Sequence, residues 1–451
     1  MTSTIWAFSV FVIAVIFIVL MTAKYKLHAF LVLLLAAYFV ALFSGMPIKG
    51  SVSLIANGFG HTIGYIGIVI ACGTIVGTIL EKSGGAFSMA DAVLKVVGKS
   101  KSPLAMGITG FIVSIAVFCD SGFVILSPLN KALSKQSKIS LAIYAMALST
   151  GLYATHTLVP PTPGPIAAAG LLSADLGTVI VLGLIVSIPA AIVGYFFATK
   201  YASRFKIESD ITETYDELKK KYKKLPSATS AFLPIVVPIV LIIFKSIADF
   251  PSHVFGTGTA KIALDFIGNP NTALLIAVFV ALFGLAPNFK KEVIGTKGWV
   301  GIGLTNAAII ILITGAGGSF GAVLKASPLI PIIKQMPLSH SMGILLPFII
   351  AAVLKTAQGS STVAIITTSA IIAPILGPLG LASPIGRALA VMSVGAGSMV
   401  VSHANDSYFW VVSQFSNMDV PTAYKTQTLA TLFEGVTALI VVLIMAPILL
   451  H

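Results

Sequence analysis

The sequence predicts an all-α polytopic membrane protein, folded as an inverted-repeat secondary transporter with two re-entrant hairpins and two discontinuous helices. Three observations predict this class: a strongly apolar composition, apolar segments too short to cross a membrane, and an order of motifs that recurs in both halves. Of the 451 residues, 57% are apolar and 10% are charged, whereas about 25% are charged in a soluble domain. So few charges cannot cover a soluble surface, which excludes a soluble enzyme, a nucleic-acid-binding protein and a disordered protein.

Eight segments are apolar over roughly the 20 residues that a membrane-spanning helix needs. They are 4–23, 28–45, 62–81, 175–199, 230–249, 271–288, 299–318 and 428–450. No basic segment precedes the first of them and no small-residue cleavage site follows it, so we interpret 4–23 as a span rather than a signal peptide. The lipid bilayer is therefore the first predicted partner of the chain.

One long hydrophilic stretch, at 200–229, divides the chain nearly in half, and we interpret it as a cytoplasmic linker. It holds eight basic and five acidic residues. If the N-terminus lies outside, 21 of the 28 lysines and arginines fall in cytoplasmic loops, as the positive-inside rule requires. The net charge of +13 then reflects basic loops at one membrane face and not a nucleic-acid partner.

This orientation requires the apolar region 103–134 to enter and leave the membrane on the same side. Its arms, 103–118 and 122–134, would be about 24 and 20 Å long as helices. Neither length reaches across a hydrocarbon core of about 30 Å. Length and charge together therefore predict a re-entrant hairpin, with a polar tip at Cys119-Asp-Ser-Gly122.

The same order of features occurs twice. Gly73-x-x-x-Gly77-x-x-Leu80 precedes a polar tip, a helix and a polar break, and Gly317-x-x-x-Gly321-x-x-Leu324 opens the same series in the second half. The first span runs inward and its counterpart at 230–249 runs outward, so the halves are inverted, as in many secondary transporters. The alternative is a helical bundle with coincidental glycines. The predicted domains are a first repeat at 1–199 (hairpin 103–134, broken helix 139–172), the linker at 200–229, and a second repeat at 230–451 (hairpin 340–375, broken helix 386–415).

Polar residues at the first tip and first break indicate function. Intramembrane carboxylates are costly and usually functional, so Asp120 is a candidate proton carrier; the alternative is a cap on the second arm. Four prolines within 160–165 cannot continue a helix, and Gly164-Pro165 favours a new half-helix whose N–H groups face an anion. The alternatives are a rigid kink without a ligand, and His156 as a hydrogen-bonded core residue.

The second tip, at 355–362, is rich in hydroxyl groups that suit a polyhydroxylated ligand or a desolvated cation. Lys355 could pair with a substrate carboxylate, with Asp120 or with Asp406, and the sequence leaves this choice open. The second break, at 402–408, is densely polar between apolar helices, which favours a functional role; the alternative is a purely structural one. The candidate substrate-binding residues are Ser121, Thr155, His156, Thr162, Lys355, Gln358, Ser360, Ser361, Thr362, His403 and Asn405, and the candidate proton-coupling residues are Asp120 and Asp406.

No cofactor or metal is predicted. His156 and His403 have no metal-ligand spacing, and the sequence has no P-loop glycine motif for ATP-driven transport. An anion channel would need a ring of charged residues along its pore, and an intramembrane enzyme would need a nucleophile–base arrangement; neither pattern is present. The leading class is therefore a secondary symporter, coupled to protons or, alternatively, to Na⁺.

The chain resembles the gluconate permease family, the gluconate:H⁺ symporters of bacterial inner membranes, within the ion-transporter superfamily. The matching motifs are Cys119-Asp-Ser-Gly-Phe-Val-Ile-Leu-Ser-Pro128, Thr155-His156 with Pro160-Pro-Thr-Pro-Gly-Pro165, Gly317-Gly-Ser-Phe-Gly321 and Ser402-His-Ala-Asn-Asp-Ser407. They occur in order over nearly the whole chain. The resemblance implies uptake of gluconate or a related hydroxy-acid with protons, a moving transport domain on a scaffold, and a homodimer.

The chain departs from the family pattern at two positions. Gluconate carriers commonly have Glu in the first tip and His in the proline segment, where this chain has Asp120-Ser121 and Thr162. The departure leaves the substrate open between gluconate, another sugar acid and a shorter hydroxy-acid such as glycerate.

Overall fold

The computed structural model describes residues 2–211, 215–221, 225–249, 258–286, 290–328 and 340–450, and within these ranges all regular structure is helical. The helices are α1 (Thr2–Ala23), α2 (Ala29–Phe43), α3 (Ser51–Lys82), α4 (Gly85–Val97), α5 (Ser102–Val113), α6 (Cys119–Ser137), α7 (Leu141–Leu158), α8 (Pro163–Leu172), α9 (Leu176–Phe196), α10 (Tyr215–Lys221), α11 (Ala228–Ala248), α12 (Thr259–Ile267), α13 (Pro270–Leu285), α14 (Lys291–Ile294), α15 (Trp299–Ala326), α16 (His340–Gln358), α17 (Ser361–Ile372), α18 (Pro384–Met399), α19 (Ser407–Phe415), α20 (Val420–Ala423) and α21 (Leu429–Leu449). Short 3-10 or π-helical turns occur at Lys99–Lys101, Phe197–Tyr201, Ala202–Arg204, Ala373–Ile375 and Tyr424–Thr428.

Within the described residues, five helical stretches are long and apolar enough to cross a membrane. They are Ser51–Lys82, Leu176–Arg204, Ala228–Ala248, Lys291–Ala326 and Val420–Leu449. A sixth candidate is a pair, α12 and α13, bent by 66°, and it contains most of the segment predicted at 271–288. The segment predicted at 28–45 forms the 15-residue helix Ala29–Phe43. This helix is only about 22 Å long, which is shorter than the predicted span.

Two helices, α3 and α15, pack against each other in opposite directions at the centre of the fold. The face of Gly58 lies against Gly318, while Gly303 lies against Ile75. Glycine lets two backbones approach closely, which is how small residues act between apolar helices. The helix α3 is longer than the predicted span at 62–81 because its polar first turns continue along α15.

The glycine motif of α3 makes room for two non-helical segments of the first half. A Cβ atom at Gly73 would lie 2.9 Å from the carbonyl oxygen of Pro161, and one at Gly77 would collide with the carbonyl oxygen of Ala116. Both neighbours belong to segments where the helical backbone is interrupted, 114–118 and 159–162. The second glycine motif has different neighbours: Gly317 faces side chains of α17 and of α8.

We expect Gly77→Ala to destabilise the protein by about 1–3 kcal/mol, because the added methyl group overpacks a site bounded by backbone. Gly64→Ala is the matched control in the same helix, since a Cβ atom there has no neighbour within 4 Å. The measurement is the thermal unfolding midpoint of the purified protein in detergent. Equal midpoints for the two variants would contradict this packing.

The linker between the halves is held against the first half by charged contacts. Asp91 on α4 accepts hydrogen bonds from Lys95, Lys219 and Tyr215, with the Lys219 nitrogen 2.9 Å away. Burial opposes ionisation of Asp91, but these hydrogen bonds outweigh it and lower the pKa from 3.8 to about 2. Because the pKa of Asp91 is lower in the folded state, its ionised carboxylate stabilises the folded state fully above pH 3.8. This contribution is lost as the pH falls through about 2. The linker contact therefore does not change across the pH range of transport assays.

The helix α6 also reaches the linker. Lys131 on α6 forms an ion pair of 2.8 Å with Asp210 and donates to the side chain of Asn417, 3.2 Å away. Lys135 donates to the carbonyl oxygen of Ile211. These contacts place the C-terminal end of α6 at the same face of the protein as the linker.

Candidate functional site

The two predicted hairpins and the two predicted broken helices are each interrupted near the expected residues. The arms predicted at 103–118 and 122–134 are α5 and α6, which are about 18 and 28 Å long. The interruption lies at 114–118, so the predicted tip residues 119–122 form the first turn of α6. The other interruptions are 159–162 between α7 and α8, 359–360 between α16 and α17, and 400–406 between α18 and α19.

Four helix N-termini, those of α6, α8, α17 and α19, are brought together in pairs drawn from opposite halves. The hydroxyl of Ser407 at the start of α19 donates to Asp120 in the first turn of α6, at 3.0 Å. The start of α8 lies against that of α17, since a Cβ atom at Gly164 would lie 3.8 Å from Cα of Thr362. Helix N-termini carry free N–H groups and a partial positive charge, so this arrangement favours an anion.

Lys355 is paired with Asp406 and not with Asp120. Both side chains are buried and the nitrogen lies 2.6 Å from Oδ2 of Asp406. The ammonium group also donates to the carbonyl oxygen of Gly359 and lies 5.8 Å from the ring centroid of Tyr153. The structure therefore selects one of the three partners that the sequence left open, and the pair joins the second tip to the second break.

Asp406 also caps α19. Its Oδ1 accepts the backbone N–H of Tyr408 at 3.1 Å, and its Oδ2 accepts the hydroxyl of Ser402 at 2.5 Å. Capping was the alternative considered for Asp120, but the N-cap of α6 is Phe118, which has no side-chain cap. Asp120 is partly buried and accepts the Cys119 thiol at 3.5 Å in addition to Ser407.

The two candidate histidines differ in their surroundings. His156 is buried in the last turn of α7, with its ring stacked 6.5 Å from Tyr153, and its Nδ1 has no hydrogen-bond partner among the described residues. His403 lies within the second break, where its Nε2 is 2.8 Å from the carbonyl oxygen of Thr356. The structure thus gives His403 a backbone partner and leaves one nitrogen of His156 available.

Two candidate threonines are engaged by backbone carbonyl groups. Thr155 donates to the carbonyl oxygen of Phe111 at 2.8 Å, and Thr162 donates to that of Val159 at 2.6 Å. The hydroxyl hydrogens of both threonines are therefore used in hydrogen bonds within the protein, beside the interruption at 114–118 and the break at 159–162. Ser360 caps α17 by accepting the N–H of Val363.

Other candidate residues retain polar atoms without a partner. Among the described residues, nothing bonds the amide nitrogen of Gln358 or the side-chain oxygen of Asn405, although the Asn405 nitrogen donates to the carbonyl oxygen of Thr356. Buried polar atoms without partners are uncommon in native proteins. Gln358 and Asn405 therefore offer a donor and an acceptor beside the buried Lys355. Ser121, Ser361 and Thr362 lie in the first turns of α6 and α17, close to the same helix N-termini.

An aromatic stack, Tyr153 and Tyr408, lies beside these groups and was missed by the sequence analysis. The two rings are nearly parallel, with centroids 5.2 Å apart. Tyr408 donates to the carbonyl oxygen of Ser149 at 3.0 Å. No local sequence pattern pairs residues so far apart in the chain, so only the fold reveals the stack.

Glu434 in α21 was also missed. It is fully buried, and neither carboxyl oxygen has a hydrogen-bond partner among the residues that the structure describes. The rule that singled out Asp120, that carboxylates within apolar spans are usually functional, applies equally to Glu434. The signal in the sequence is a single acidic residue within the predicted span 428–450.

Comparison with known proteins identifies the family. The model of the GntP family permeases matches residues 6–448. A gluconate permease of Pseudomonas aeruginosa is 35% identical over 446 residues, covering 97% of each chain. The D-serine transporter DsdX of Escherichia coli K12 is 36% identical, covering 97% of this chain and 98% of its own.

A solved structure, the YdaH transporter of Alcanivorax borkumensis, has a similar fold. Its TM-score is 0.67 at 12% identity, and the match covers 89% of this chain and 90% of that one. The match to a transporter fold agrees with the all-helical prediction and with the long apolar helices. The family consists of permeases and not of enzymes, and its members lie in the bacterial inner membrane. The chain therefore belongs to the GntP family of permeases and is a multi-pass transporter of the inner membrane.

Proposed function

We propose that the protein is a proton-coupled symporter that imports gluconate or a related small carboxylate. The observation that carries this proposal is the meeting of four helix N-termini beside Lys355, Gln358 and Asn405. N–H groups and an ammonium group suit the carboxylate of the substrate, and the amide groups suit its hydroxyl or amino groups. Relatives named for gluconate and for D-serine support a small, polar carboxylate as the substrate class.

We further propose that the halves are inverted repeats at 1–199 and 230–451, joined by the linker at 200–229. The pattern of contacts supports this: α6 of the first half packs on α19 of the second, and α17 of the second packs on α8 of the first. A two-fold relation between the halves exchanges these two pairs. In such transporters, half-helix N-termini meet the anionic group of the substrate near the midplane. In this arrangement, α5–α6 and α16–α17 would be the re-entrant hairpins.

For energy coupling, Asp120 is the proposed proton carrier. Its carboxyl group is only partly buried and receives neutral donors, Ser407 and Cys119, whereas Asp406 is paired with the Lys355 ammonium group. Asp406 also accepts the hydroxyl of Ser402 and the backbone N–H of Tyr408, which makes it the weaker candidate. Na⁺ coupling is the second candidate mechanism, because hydroxyl groups at the second tip could also bind a desolvated cation.

The substrate class is tested by an uptake screen in proteoliposomes. Gluconate, another aldonate, glycerate and D-serine are offered at fixed pH, with and without Na⁺, and uphill accumulation of unmodified substrate is measured. We expect accumulation of at least one of these carboxylates without Na⁺. Equilibration without accumulation would indicate a channel, and recovery of altered substrate would indicate an enzyme.

The binding site is tested with Asn405→Ala. Without Asn405, a hydroxyl or amino group of the bound substrate is left without its hydrogen-bond partner, which costs about 1–3 kcal/mol, so we expect the KM for uptake to rise about 5- to 150-fold. Ser360→Ala and Ser361→Ala should raise KM in the same direction. Asn57→Ala, on an exposed face of α3, is the control. If all three site variants keep the wild-type KM, the assignment is wrong.

A further inference from the structure

The last long helix, α21, carries an acidic side chain that the proposed coupling does not use. Glu434 is 0% exposed, and among the described residues neither carboxyl oxygen has a hydrogen-bond donor. An ionised carboxyl group without a partner is so costly in an apolar interior that the group takes up a proton instead. Glu434 therefore holds a proton in the conformation that the structure shows.

Glu434 lies near the aromatic stack of Tyr153 and Tyr408 that borders the candidate site. Tyr153 and Tyr408 are both within electrostatic range of Glu434, and Tyr408 is also within range of Asp120. The ring of Tyr153 faces the ammonium group of Lys355. Two carboxyl groups, one on each half of the chain, thus lie within electrostatic range of a single buried tyrosine.

The ionisable groups around α21 leave Glu434 without a charged partner. On the described elements packed against α21, they are Tyr144, Tyr153 and His156 on α7, Tyr195 on α9, Lys355 on α16, Arg387 on α18, and Tyr424 and Lys425 in the turn before α21. Lys355 is bound to Asp406, and Arg387 donates to the carbonyl oxygens of Ala382 and Ser173. Among the described residues, no charged group therefore pairs with the Glu434 carboxyl.

The start of α21 is tied to the second break. The hydroxyl of Thr428 donates to the carbonyl oxygen of Ser402 at 2.5 Å, and the N–H of Ser402 donates to the hydroxyl of Thr431 at 3.1 Å. Glu434 follows Thr431 by one turn on the same helix. A movement of the break during transport therefore changes the packing and the hydration around Glu434.

We propose that Glu434 is a second proton-binding site of the transport cycle, so that each substrate is carried with two protons. One proton binds Asp120 and the other binds Glu434, which releases it in the conformation where its surroundings become wet. This inference rests on the proposed proton-coupled function. If the carboxyl group of Glu434 never released its proton, a neutral glutamine of similar size could fill the same position.

The test is a null-point measurement of the proton stoichiometry in proteoliposomes. The membrane potential is clamped at zero, and gluconate or D-serine, whichever the wild type accumulates, is loaded tenfold higher inside. The pH outside is lowered until net flux stops. Since one pH unit is a tenfold proton gradient, flux should stop at about 1 unit for one proton and at about 0.5 unit for two.

We expect a null point near 0.5 unit for the wild type and for the control Glu81→Gln, whose carboxylate pairs with Lys82 at the end of α3. Glu434→Gln should shift it to about 1 unit. A wild-type null point of 1 unit, or an unchanged one in Glu434→Gln, overturns the second site but leaves proton coupling intact. If no pH gradient stops the flux, the proposed function itself fails.

A second measurement covers the case in which Glu434→Gln does not fold. Wild-type protein in vesicles is treated with dicyclohexylcarbodiimide, which reacts with protonated carboxyl groups in apolar surroundings, and modified peptides are identified by mass spectrometry. Modification of Glu434 should fall several-fold between pH 5.5 and pH 8 while substrate turns over. Modification that is independent of pH and substrate would identify a permanently neutral, structural carboxyl group and overturn the proposal.

Discussion

Lys355→Met is expected to abolish uptake and to destabilise the protein by about 3–5 kcal/mol, the cost of leaving one member of a buried ion pair without its partner. Removing the ammonium group leaves the buried carboxylate of Asp406 without its counter-charge and frees the carbonyl oxygen of Gly359. The measurements are the thermal unfolding midpoint in detergent and initial uptake in proteoliposomes. Lys325→Met, at an exposed position near the end of α15, is the control and should match the wild type.

A double-mutant cycle separates the structural role of the pair from its role in binding. The double variant Lys355→Met/Asp406→Asn has no unpaired charge, and the asparagine can still accept the N–H of Tyr408. We expect it to be more stable than Lys355→Met and yet to remain inactive, because the positive charge for the substrate carboxylate is gone. A double variant as unstable as Lys355→Met would show that the ion pair is not what stabilises this region.

Asp120→Asn is expected to lose one proton from the transported complex. One pH unit is worth about 1.36 kcal/mol per proton, so accumulation at an imposed gradient of one unit should fall about tenfold. Exchange should persist, because the asparagine imitates the protonated carboxyl group and can still accept the hydroxyl of Ser407. Uptake under a pH gradient is compared with counterflow without one, and unchanged accumulation by Asp120→Asn would remove Asp120 from the coupling mechanism.

The class of protein and the positions of the interruptions could be predicted from the sequence because both depend on local chemistry. Four prolines crowded into 160–165 cannot continue a helix, and Gly359 adopts a positive φ of 93° that favours glycine. Helix lengths were less predictable: residues 51–61 are polar enough to be excluded from an apolar window, but packing against α15 keeps them helical. The glycine spacing in α3 predicted a close approach but not its partners, which are carbonyl groups of two interrupted segments.

Partners within the site could not be predicted, because they depend on contacts between residues far apart in the chain. The choice of Asp406 for Lys355 is set by the way the second tip packs on the second break. Thr155 and Thr162 carry the expected hydroxyl groups, but neighbouring carbonyl oxygens engage them. Glu434 could have been found from the sequence by applying to α21 the rule used for Asp120.

The proposed proton-coupled symport is tested most directly by measuring which ion gradient drives uptake by the wild-type protein. Proteoliposomes containing the purified permease are given gluconate, glycerate or D-serine under a gradient of one pH unit, acid outside, with the membrane potential clamped at zero and Na⁺ absent. For a proton-coupled symporter we expect at least about tenfold accumulation of one of these carboxylates, which is the equilibrium value for one proton per substrate. Accumulation that requires a Na⁺ gradient and ignores the pH gradient, or uptake that stops at equal concentrations, would contradict proton-coupled symport.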